Sequence, residues 1–81
     1  MAEMDEVITA LQELLEDSNV PKNVKSKVQS TMDTLNKKGD NSMKISRALH
    51  ELEEVGEDTN LDGITRTQIL GVISMLSSLE S

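Results

Sequence analysis

The chain has 81 residues, a formal net charge of −7, no Cys, one His, and no Phe, Tyr or Trp. That composition excludes disulfides and a structural zinc site, disfavours a general affinity for nucleic acid or anionic membrane, and leaves Val, Ile, Leu and Met to build the core. So small a core offsets the ordering entropy of the chain only narrowly, and self-association is expected to help.

The charge is unevenly placed. Residues 22–47 hold Lys22, Lys25, Lys27, Lys37, Lys38, Lys44 and Arg47 against Asp33 and Asp40, a net of +5. The remainder holds Arg66 against thirteen acids, a net of −12. Such asymmetry marks a basic binding face or a basic helix packed between acidic ones, and the second is the simpler expectation. The N-terminus is acidic and has no apolar leader segment. The longest uncharged run, Thr67 to Leu79, is too short and too polar to span a bilayer. A soluble, cytoplasmic protein without membrane contact is expected.

In chain order, the first helix is predicted from Glu3 to Asp17. Met4, Val7, Ile8, Leu11, Leu14 and Leu15 fall on one stripe, and Glu3, Asp5 and Glu6 suit the positive end of the helix dipole. A hinge, Ser18–Asn19–Val20, leads to Pro21, which fits the first position of a second helix because its missing N–H has no partner there. This second helix is predicted from Pro21 to Lys38, with Val24, Val28, Met32 and Leu35 as its stripe and Gly39 as a left-handed residue just after its end. Asp40–Asn41–Ser42 supplies a cap for helix three, whose stripe is Ile45, Ala48, Leu49, Leu52 and Val55. Asp62 is placed to cap helix four, with Thr65 at its third position and Ile69, Val72, Ile73, Leu76 and Leu79 on one face. Leu70 and Met75 lie off that face on opposite flanks, which suggests either a central position for helix four or a partner contact.

The two halves echo each other. Ala10–Leu11–Gln12–Glu13–Leu14 followed by Asp17–Ser18–Asn19–Val20 returns as Ala48–Leu49–His50–Glu51–Leu52 followed by Asp58–Thr59–Asn60–Leu61. After the hinge the copies stay in step at a shift of 41 residues, Lys25 with Arg66, Val28 with Ile69 and Leu35 with Leu76. Before it the echo reads at a shift of 38. Four short-looped helices imply an all-α single domain, residues 1–81. Its expected form is an antiparallel up-down-up-down four-helix bundle of two repeated helical hairpins, about 3–38 and about 42–80. Two hairpins bury more by closing on each other than by stacking as a solenoid, which needs about three repeats.

The motifs are weighed against that scaffold. Asp58–Thr59–Asn60–Leu61–Asp62–Gly63 matches the opening of a calcium loop, but the twelfth position is Ile69 rather than a bidentate Glu, and the first hairpin has Pro21 in place of Asp62. Asp58, Asn60 and Asp62 are read as turn and cap residues, with a weak divalent-cation site as the remote alternative. His50 falls on a polar face, one His cannot complete a di-iron site, and no phosphate-binding glycine loop exists. The carboxylate clusters lie on solvated faces, where a raised pKa for acid–base work is not expected. Neither an enzyme nor a cofactor is expected. Lys22, Lys25 and Arg47 are the candidate basic patch, though a chain without aromatics offers no stacking platform for single strands.

The leucine-rich first helix, Asp17–Lys25 (DSNVPKNVK), Ile45–Leu49 (ISRAL), and the tail from Thr59 through Thr65–Arg66–Thr67 to the closing ISMLSSLE make the chain similar to the archaeal uncharacterised protein family 0147. The resemblance covers nearly the whole chain. It implies a small four-helix bundle and carries over no catalytic residue. The chain departs from the family pattern at Asp62–Gly63, where a proline like Pro21 is expected, and a family-wide metal site would not vary there. The residues leave three functional readings open. The first is a non-enzymatic protein–protein interaction module, its partner an unknown protein or a second copy, with Leu70 and Met75 at the contact. The alternative is an RNA- or ribonucleoprotein-associated accessory protein using the basic 22–47 segment, although nucleic acid is disfavoured as a partner. The weakest is the cation site at 58–62.

Overall fold

The computed structural model describes residues 4–80, in which four helices and no strand are found: α1 Met4–Glu16, α2 Lys22–Asn36, α3 Asn41–Gly56 and α4 Gly63–Glu80. Glu3, expected to open the first helix, lies outside the described residues. α1 packs on α2 and α4, and α3 packs on the same two, while the diagonal pairs make no close backbone approach. The helices therefore form a ring around one core. Asn23–Asp58, Lys27–Glu54 and Thr31–Glu51 are all cross-helix pairs, and rising numbers on α2 meet falling numbers on α3, so the two run antiparallel. The molecule is 32 Å long. At about 1.5 Å per residue the longest helix spans nearly all of that.

The stripes become the core. Val7, Leu11 and Leu14 of α1, Val24, Val28 and Leu35 of α2, Leu49, Leu52 and Val55 of α3, and Ile69, Val72 and Leu76 of α4 are buried. Each contributes roughly 1.5–3 kcal/mol by leaving water. Val20 and Leu61, one from each hinge, are buried too and pin the turns to the core.

Helix ends refine the sequence reading. Pro21 is the residue before α2 rather than its first member; at φ −60° and ψ 152° it is extended, and its carbonyl accepts from Lys25 N–H. The helix stops at Asn36, so Lys37 and Lys38 are in the turn, and Gly39, at φ +139°, lies two residues beyond the extended Lys37 cap rather than immediately after the helix. Lys44 Nζ reaches back to the Lys37 carbonyl at 2.7 Å. Asp40 caps α3 by accepting from Ser42 N–H at 2.8 Å, and Asp62 caps α4 by accepting from Thr65 N–H at 3.1 Å.

The repeat holds at the level of individual bonds. Asp17 and Asp58 each accept the N–H two residues on, both at 2.9 Å, and each carbonyl receives the following aliphatic N–H, Val20 at 3.2 Å and Leu61 at 3.3 Å. At the helix ends Asp17 N–H donates to Leu14 and Asp58 N–H donates to Val55. These bonds equate Leu14 with Val55, Leu11 with Leu52 and Val7 with Ala48, all buried. The shift is thus 41 on both sides of the hinge, not 38 before it. The two values differ by about one helical turn, so either keeps the stripes superimposed and only the helix-end bonds tell them apart.

Candidate interaction surfaces

The two D-x-N hinges lie at one end of the bundle and the α2–α3 turn at the other, because each hairpin returns the chain to its starting end. This separates residues that the linear charge pattern grouped. Lys22 is exposed and Lys25 half-buried near the hinge end, whereas Arg47 is on the second turn of α3 near the opposite end, roughly 15 Å along the helix axis. Lys22 and Lys25 do not join Arg47 in a patch.

Arg47 instead shares a surface cleft of about 670 Å³ with Lys37, Lys38, Lys44 and His50, and with Asp40 as the one acid. Met43 stands in its wall, 72% exposed, on the face of α3 opposite the core. The sequence contained a signal for this residue: counting about 100° per residue, Met43 falls far from the Ile45–Leu52 stripe, an apolar residue on a polar face. The grouping of Lys37, Lys38 and Lys44 around it carried no such signal, because it depends on how the turn folds back. Ser46 and Thr34 line the same cleft. His50 Nε2 lies 2.8 Å from Glu54, and no hydrogen bond joins Ser46 to His50.

The flank of α2 and α3 next to this cleft is closed by polar bridges. Thr31 is fully buried and its hydroxyl meets Glu51 at 2.9 Å, with Arg47 Nε 4.0 Å from the same carboxylate. Lys27 pairs with Glu54 at 3.7 Å, and Asn23 donates to Asp58 at 3.2 Å.

The turn at 58–62 is engaged in holding helix ends. Asp58 accepts from Asn60 N–H and from Asn23, its carbonyl accepts from the Arg66 guanidinium at 2.9 Å, and Asp62 accepts from Thr65 N–H. The Thr65 hydroxyl, then the Thr65 N–H, hold the Asp62 carboxyl below the usual carboxylate range against a smaller opposing effect of burial. No three acidic, His or Cys side chains stand close enough together to hold a metal ion among the described residues.

Leu70 is 55% exposed, whereas Met75 is half-buried and packs against the core. Five residues apart, they point about 140° apart around α4 and do not form one surface. Ile64, at the start of α4, is as exposed as Met43 and was not singled out by the sequence pattern. No helix among the described residues is long and apolar enough to cross a membrane.

An all-α bundle of two hairpins, with helix caps, cross-helix bridges and a basic cleft among its described polar features, defines a small four-helix protein. The crystal structure of the unknown-function protein MMP1188 has the same fold, with a TM-score of 0.87 and 28% identity over 95% of this chain and 89% of that one. Residues 1–79 match the uncharacterised protein family UPF0147, and the chain belongs to that family. Its relatives include UPF0147 proteins of two archaea. That of Methanocaldococcus jannaschii is 29% identical over 91% of this chain and 81% of its own length. That of Thermoplasma volcanium is 32% identical over 93% and 85%. The family assignment agrees with the resemblance drawn from the residues, and it names no activity.

Proposed function

We propose that the chain is a non-enzymatic interaction module that docks an acidic protein segment in the basic cleft at the α2–α3 turn. The observation that carries this reading is the exposed Met43 set among Lys37, Lys38, Lys44 and Arg47, with Asp40 the one acid in the cleft lining. An apolar residue ringed by cations suits an acidic segment bearing one hydrophobic anchor, with the charges steering the encounter and the anchor holding it. Such a module works in the cytoplasm, free of the membrane.

The four gathered cations also favour a second reading, in which the cleft takes the phosphate backbone of an RNA. One experiment separates the two. Labelled acidic amphipathic peptide and labelled single-stranded RNA are titrated against the wild type, Met43→Ser, and a Lys37→Glu/Lys38→Glu/Arg47→Glu variant. The protein reading expects the peptide to bind and Met43→Ser to weaken it several-fold. Tight RNA binding with a steep salt dependence, unmoved by Met43→Ser but lost on charge reversal, would replace it with the second reading. If neither probe binds, the cleft is not a docking site.

A further inference from the structure

The repeat makes a comparison within one molecule possible. The α2–α3 flank and the α4–α1 flank are equivalent at a shift of 41, yet only the first is closed by polar bridges. Thr31–Glu51 becomes Val72–Ala10, Lys27–Glu54 becomes Gln68–Glu13, and Asn23–Asp58 becomes Ile64–Asp17. None of these three replacement pairs is joined by a hydrogen bond or ion pair. What remains is a cleft of about 340 Å³ with Leu14, Val72 and half-buried Met75 in its floor. At Gly71 a Cβ would meet nothing within 4 Å, so the cleft is open there rather than packed shut. Its rim is acidic. Glu13, unlike its counterpart Glu54, has no cation beside it, and Asp5 and Glu6 continue the acidic edge along α1.

An open apolar floor with an unpaired acidic rim is complementary to an exposed Met among cations, and both are present on the same chain. We infer that the chain associates head to tail, with Met43 of one copy seated over Gly71 in the α1–α4 cleft of the next, and with Lys37, Lys38, Lys44 and Arg47 against Glu6 and Glu13. The inference rests on the proposed docking cleft and names its acidic partner as a second copy of this chain. The two surfaces lie on opposite sides of the helix ring, so the contact is heterologous and cannot close as a two-fold dimer. It builds open chains or rings. The surfaces are small, and the association is correspondingly weak and salt-dependent.

Sedimentation velocity of the full chain tests this, run from about 10 μM to about 1 mM, the range in which weak interfaces of small area become populated. At low salt the average mass is expected to climb past that of a dimer and to fall back to the monomer at high salt. Met43→Glu removes the knob and Glu13→Lys alters the socket. Both side chains are exposed, and circular dichroism checks that each variant stays helical. Each variant alone is expected to remain monomeric. Mixed one to one, they retain one intact knob and one intact socket, so a dimer that grows no further is expected. A wild type that stays monomeric throughout, an assembly indifferent to Met43→Glu, or a mixture that fails to dimerise overturns the inference. The peptide titration described above is independent of these outcomes, so the docking cleft stands or falls separately.

Discussion

Thr31 offers the sharpest test of how the closed flank is held. Its side chain is fully buried, and its hydroxyl oxygen lies 2.9 Å from both the Lys27 carbonyl and the Glu51 carboxylate. A hydroxyl has one proton to donate, and the carboxylate is the stronger acceptor, so the bond across the helices takes it. Thr31→Val keeps the shape and the β-branch while removing that donor. A hydrogen bond to a charged group contributes about 1.5–3 kcal/mol. Two features reduce the loss: Glu51 keeps 19% of its side chain exposed with Arg47 4.0 Å away, and the added methyl group is buried. The net destabilisation expected is about 1–2 kcal/mol, or roughly 4–16 °C in Tm for a chain of this size. Urea and thermal unfolding followed by circular dichroism measure it. The double-mutant cycle with Glu51→Ala, which removes the acceptor altogether, isolates the pair and should show a coupling of about 1 kcal/mol. A Thr31→Val protein as stable as the wild type, or a coupling within experimental error of zero, would refute the assignment of the proton to Glu51.

Three further outcomes are expected. Leu11→Ala and Leu52→Ala occupy equivalent, fully buried positions, so each should destabilise by about 2–5 kcal/mol and the two should agree within about 1 kcal/mol; a larger gap in urea unfolding would mean that the halves are not packed alike. The Asp62 carboxyl has a folded-state pKa below its unfolded value, so its contribution is fully present above about pH 4 and is lost as the pH falls through the lowered value. Asp62→Asn keeps a capping oxygen but cannot titrate, and its urea midpoint should fall less steeply than the wild type's below pH 4; parallel acid profiles would show that the Thr65 bonds do not favour the ionised form. On α4, Leu70→Glu should leave the unfolding midpoint within about 0.5 kcal/mol of the wild type, whereas Met75→Glu should destabilise by about 1–2 kcal/mol, because the first is exposed and the second packs on the core. The opposite order would place Leu70 in the core.

Four helices, their buried stripes, the caps at Asp40 and Asp62 and the duplicated hinge could all be read from the residue order. Each depends on neighbours within a turn or two, where periodicity and side-chain capping act directly. Family membership was legible for the same reason, through local patterns at Asp17–Lys25 and Thr65–Thr67. The exact shift of the repeat was not, since 38 and 41 differ by nearly one turn and preserve the same stripe. Nor was the candidate site. Lys22, Lys25 and Arg47 are close in a basic stretch but lie toward opposite ends once α2 and α3 run antiparallel, while Lys37, Lys38 and Lys44 converge on Met43 only because the turn folds back at Gly39. The contrast between a flank bridged by Thr31–Glu51 and one left open at Val72–Ala10 exists only when the ring is closed, for it compares contacts between helices far apart in the chain. Local order chose the helices, and long-range packing decided which of their faces meet and which face solvent.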